Sequence, residues 1–67
     1  MHWDRIRNEW SRLRPTARSV WPRVSEAELE IVAGRRDRLV DKVRAAYHLP
    51  QEEAEREVDV WAEGLRA

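Results

Sequence analysis

The sequence predicts an all-α protein, a small four-helix domain over residues 1–67 whose short helices form two hairpins. Three observations carry this. Apolar residues recur at alternating spacings of three and four from Trp3 onward, the period of one helix face and not of a strand. Ser25-Glu26-Ala27-Glu28 spells a capping box, with Val24 and Leu29 in the two positions of a hydrophobic staple. Proline and glycine fall between apolar stripes at 15, 22, 34, 50 and 64, and no period-two run separates them.

The first stripe is Trp3, Ile6, Trp10, Leu13, Ala17 and Val20. Pro15 interrupts it. A proline ring disfavours helical geometry in the preceding residue and removes a backbone donor, so the first helix is expected to end or kink at Arg14. A short segment from Pro15 to Trp21 follows, and Pro22 forces a turn. The capping box then fixes a helix N-terminus at Ser25, and Gly34 is the natural stop. Arg35 to Tyr47 reads as helix, with Leu39, Val40, Val43, Ala46 and Tyr47 on one face. His48-Leu49-Pro50 is a corner, and Pro50 suits the first position of the last helix. Glu52 and Glu53 sit in its first turn, where carboxylates favour the positive end of the helix dipole. Ala54, Val58, Trp61 and Leu65 form its buried stripe. Glu52 and Arg56, four apart in the favoured order, predict a weak ion pair.

Size and composition limit what this chain can bury. It has 67 residues, no Cys and no Phe, and its large aliphatics are seven Val, five Leu and two Ile. A domain this small is marginal without staples, with a core rarely worth more than about 3–5 kcal/mol. Each aromatic buries roughly 150–250 Å², so the four Trp must supply much of the core. The expected core is Trp3, Ile6, Trp10, Leu13, Trp21, Leu29, Val32, Leu39, Val43, Val58 and Trp61. No apolar run reaches the ~18 residues of a membrane span. No basic stretch followed by an apolar one marks a leader, which makes the cytoplasm the expected location.

Thirteen basic residues balance thirteen acidic ones. The total argues against a polyelectrolyte partner, but it conceals a division. Residues 1–24 hold six arginines against Asp4 and Glu9, and residues 25–67 hold seven basic against eleven acidic groups.

Candidate chemistry is thin. Ser11, Ser19 and Ser25 include no nucleophile elbow, and Ser25 is already a cap. Glu53 and Glu57 lie one turn apart, but acid–base work needs a cleft with shifted pKa values, and a solvated face is the simpler reading. His2 with Asp4, or His48 with Glu52, offers too few ligands for a metal. Two isolated glycines cannot build a phosphate loop. No catalytic, cofactor-binding or metal-binding residue is therefore expected, and no small-molecule substrate. Arg35, Arg36 and Arg38 near a helix start, with Arg5 and Arg12 in the basic first segment, are the candidate contacts for a partner or for phosphates. The simpler reading of Arg35-Arg36-Asp37-Arg38 is a partly ion-paired surface. Tryptophan and arginine on one amphipathic helix also suit a membrane surface, yet the core needs those rings, so no membrane association is expected.

Trp10-Ser11-Arg12-Leu13, Trp21-x-x-Val24-Ser25 and Ile31-Val32-Ala33-Gly34-Arg35-Arg36-Asp37-Arg38-Leu39-Val40 resemble the CsbD-like family of small bacterial general stress-response proteins. So does Tyr47 followed by Glu52-Glu53-Ala54-Glu55-Arg56-Glu57-Val58 and Trp61. The likeness covers roughly residues 1–61. It implies four helices in two roughly orthogonal hairpins, cytoplasmic location, induction under stress, and no active site to carry over. The chain departs from the family at Pro15, Pro22 and His48, where glycine is usual. His48 is therefore expected to take a positive φ, which histidine tolerates better than most residues. Together these readings predict a non-enzymatic protein-interaction module, acting on a protein partner or on itself. The alternative is a weak nucleic-acid binder using the arginines of the N-terminal half and residues 35–38.

Overall fold

The computed structural model describes residues 1–65. Among them five helices form and no strand: α1 (Trp3–Asn8), α2 (Trp10–Val20), α3 (Glu26–Val32), α4 (Arg36–Tyr47) and α5 (Gln51–Gly64). The class is as expected, but there is one helix more than four. The extra boundary falls at Glu9, whose φ of −108° and ψ of 20° leave helical geometry.

The expected end of the helix at Arg14 is corrected. α2 runs through Pro15 to Val20. A proline inside a helix costs about 3 kcal/mol or more, through a lost donor and a clash with the carbonyl four residues back. That carbonyl belongs to Ser11, which is exposed like Pro15 itself, so water can serve it. Leu13, Ala17 and Trp21 around it are all buried, and their burial offsets the defect at about 1.5–3 kcal/mol for each large side chain.

The hitch at Glu9 is clamped by the residue that makes it. Its carboxylate accepts from Arg5 Nε, one turn behind, and from Arg12 Nε at 2.8 Å, ahead in α2. These two hydrogen bonds, Arg5 first, hold the Glu9 carboxyl below its ordinary pKa.

The start of α3 follows the sequence. Ser25 Oγ accepts from the Glu28 amide at 3.1 Å, and Glu28 Oε1 accepts from the Ser25 amide at 3.1 Å. Val24 and Leu29, the staple residues, are fully buried. The helix stops through two consecutive left-handed residues, Ala33 at φ 51° and Gly34 at φ 76°. Glycine is required at the second for a further reason. A Cβ there would lie 2.7 Å from the Arg7 Cα, so α1 crosses directly over this turn.

His48 caps α4 at φ 54°, the positive φ expected of it. Pro50 is the residue before α5 and not its first, a shift of one position. The expected Glu52–Arg56 ion pair does not form among the described residues. Gln51 instead donates to Glu55.

The core gathers Ile6, Trp10, Leu13, Ala17, Trp21, Val24, Leu29, Val32, Leu39, Val40, Val43, Ala54, Val58, Trp61 and Ala62. Every expected core residue belongs to it except Trp3, which is only partly buried against its edge. Val20, on the same stripe as Leu13 and Ala17, is instead 52 % exposed. Among the described residues no buried one is charged.

Candidate interaction surface

Trp61 organises the aromatic part of the core. Trp3, Trp10 and Trp21 surround it at ring-centroid distances of 6.3, 6.3 and 5.6 Å, within the range of favourable tilted and edge-to-face pairs. Each indole N–H meets a different fate. Trp10 Nε1 donates to the buried Leu29 carbonyl at 2.8 Å, fastening α2 to α3. Trp21 Nε1 donates to Glu57 Oε1 at 3.2 Å, fastening the end of α2 to α5. Trp61 Nε1 is buried with no partner among the described residues.

Where the end of α2 meets α5, the surface opens into a shallow groove of about 440 Å³ lined by Val20, Trp21, Arg56, Glu57, Val60 and Trp61. Trp21 and Trp61 form its floor. Val20 and Val60 stand on its walls, 52 % and 64 % exposed. Arg56 and Glu57 supply one charge of each sign. Glu57 was expected only as part of a solvated face, and its bond to Trp21 is the feature which that reading missed. A carboxylate at i, four residues before a buried Trp61 and one turn along from exposed Val60, gives no such signal until the end of α2 is placed beside it. Ile31, the other large exposed apolar residue, lies outside the groove.

Four of the five candidate arginines are engaged within the chain. Arg5 and Arg12 share Glu9. Arg36 makes a bidentate pair with Asp59, Nε to Oδ1 at 2.7 Å and Nη2 to Oδ2 at 2.9 Å, tying the start of α4 to α5. These hydrogen bonds hold the Asp59 carboxyl below its ordinary pKa and raise that of Arg36. Arg38 donates to the Ile31 carbonyl at 3.1 Å. Arg35 precedes α4 as its exposed N-cap and has no side-chain capping bond. Among the described residues no group of three or more His, Asp or Glu is placed to hold a metal, and no helix is long and apolar enough to cross a membrane.

Comparison with known proteins adds a lineage. The chain is 34 % identical over 62 residues to a UPF0337 protein of Nitrosomonas europaea, a match covering 92 % of this chain and 66 % of that protein. It is 30 % identical over 61 residues to UPF0337 protein YjbJ of Escherichia coli O6:H1, covering 91 % of this chain and 88 % of the other. The chain belongs to the UPF0337 family. A UPF0337 protein of Pectobacterium atrosepticum matches to the same extent, 30 % over 61 residues. No family model matches this UPF0337 chain, and no solved structure matches it significantly.

Proposed function

We propose that this chain is a small, non-enzymatic protein-interaction module of the CsbD-like stress-response type, working in the cytoplasm through the groove between the end of α2 and α5. The CsbD-like assignment is supported by the motifs around Trp10, Trp21, Gly34 and Trp61 and by membership of the UPF0337 family.

The observation that carries the interaction reading is the exposure of Val20 and Val60 on either wall of a groove floored by tryptophan. Core residues elsewhere are closed off, down to Ile6, Leu29 and Leu39 at no exposure at all. Single exposed apolar residues are ordinary, but two lining the same largely apolar groove beside one charge of each sign resemble a binding patch. The alternative, nucleic-acid binding, draws less support. Four of its five arginines already spend donors on Glu9, Asp59 or the Ile31 carbonyl.

Photo-crosslinking tests the reading. A photoreactive phenylalanine analogue in place of Val60 should yield a discrete crosslinked protein species in stressed cells, and the same analogue in place of Ile31 should not. No species at position 60, or equal yields at both, would overturn it.

A further inference from the structure

On the face of α5 that forms the groove's outer wall, Arg56 and Glu63 are placed to match each other. Glu53, two turns before Val60, and Glu57 are not matched by an opposite charge. At 100° per residue, Arg56 and Glu63 lie on one flank of Val60, and Glu57 and Gly64 on the other, all within about 60° of it. Arg56 sits about 6 Å before Val60 along the helix axis and Glu63 about 4.5 Å beyond it, at 1.5 Å per residue. Neither Arg56 nor Glu63 has an ionic partner among the described residues. A Cβ added at Gly64 would meet nothing within 4 Å, so that end of the face is open.

A two-fold axis perpendicular to α5 and passing beside Val60 keeps each flank on its own side and exchanges the two directions along the helix. Arg56 then faces the partner's Glu63, and Glu63 faces the partner's Arg56. Val60 meets its own copy at the axis. Glu57, held back by the Trp21 indole at 3.2 Å, comes over the partner's Gly64 and meets no like charge there. Two-fold interfaces need this self-complementarity, with residue i against j and j against i. The apolar centre is flanked by two equivalent ion pairs, and Val20 extends it on each side.

We infer that the occupant of this face is a second copy of the same chain, with α5 packed antiparallel on α5 about Val60 and held in register by reciprocal Arg56–Glu63 pairs. The inference rests on the reading of the groove as an interaction surface and names its partner. The contact is modest. A standard interface covers about 800 Å² per partner, roughly a fifth of this chain's 4424 Å² surface, and one helix face with a shallow groove supplies less. Association is therefore weak and concentration-dependent, in the high-micromolar range.

Sedimentation equilibrium of the full chain, R56E, E63R and their equimolar mixture tests it. R56E sets Glu against Glu63 twice and E63R sets Arg against Arg56 twice, so each alone should dimerise at least about tenfold more weakly than wild type. Mixed, the two variants place opposite charges at both positions, and dimerisation should return to within about threefold of wild type. Both positions are exposed, and near-ultraviolet circular dichroism of the tryptophan cluster verifies that the variants fold. V60S provides a charge-neutral variant that should also weaken the dimer. A wild-type chain that stays monomeric to about 1 mM, or variants that associate as it does, would overturn the inference. If wild type is monomeric while position 60 captures a different protein in cells, the second copy is refuted and the interaction reading stands. If position 60 captures nothing, both fall.

Discussion

The contrast between two equally buried tryptophans gives the most discriminating stability prediction. Trp10 is 7 % exposed and Trp61 8 %, so replacing either with Phe deletes the same atoms from comparable surroundings, and the volume and area losses cancel to first order. What differs is the indole N–H. At Trp10 it is bonded to the Leu29 carbonyl, which afterwards keeps only the longer 3.3 Å bond from the Ala33 amide. A hydrogen bond of this kind contributes about 0.5–1.5 kcal/mol net. At Trp61 the N–H is buried and unpartnered, and removing an unsatisfied donor releases about 1–3 kcal/mol. Trp61 also loses edge contacts with three rings and not one, which reduces the gap. W10F should therefore be less stable than W61F by about 1.5–3 kcal/mol, a large share of the ~3–5 kcal/mol available to a core this size. Urea unfolding followed by far-ultraviolet circular dichroism measures it without relying on tryptophan emission. A W61F variant as destabilised as W10F, or more so, would refute the assignment of the two indoles.

Four further outcomes follow from the same structure. G34A combines a left-handed φ with a Cβ 2.7 Å from the Arg7 Cα, so it should cost at least about 2 kcal/mol, beyond the ~1–2 kcal/mol of the backbone conformation alone; thermal melting would show this. H48G relieves the same conformation at an exposed corner and should leave stability unchanged or raise it by up to about 1 kcal/mol, since glycine's extra freedom when unfolded offsets part of the relief. The Arg36–Asp59 pair is bidentate but its side chains are 39 % and 44 % exposed. A double-mutant cycle of R36Q and D59N should therefore give a coupling of only about 0.5–1 kcal/mol. Because the folded Asp59 carboxyl titrates below its ordinary value, that contribution is fully present above pH ~4 and is lost as pH falls through the folded pKa. D59N should accordingly flatten the acid limb of the stability profile; an unchanged limb would argue against the pair.

How far the sequence reaches depends on the range of the interaction concerned. The α3 start was legible because its cap and staple lie within six residues of one another, and each predicts the same N-terminus. The positive φ of His48 was legible only through the family resemblance, which has glycine at that position. Pro15 misled for the opposite reason. Its local cost is plain in the sequence, but Leu13, Ala17 and Trp21, which offset it, act through contacts with distant helices. The break at Glu9 carries no proline or glycine at all, and its clamp by Arg5 and Arg12 reads in sequence as ordinary helix-surface pairing. Trp3 follows the apolar period but sits near the first turn of α1, at the edge of the core, where fewer neighbours cover it. The groove was the least legible part. Val20 and Val60 are forty residues apart, and only the meeting of the end of α2 with α5 brings them to one groove.

The claim that a second copy of the chain occupies this face is tested most directly by amide chemical shifts recorded as the protein is diluted. Shifts should concentrate at Val20, Arg56, Val60 and Glu63, while Ile31 and Asp37 remain fixed. Concentration-dependent shifts confined to Ile31 and Asp37, or a spectrum with no concentration dependence at the groove, would contradict the account.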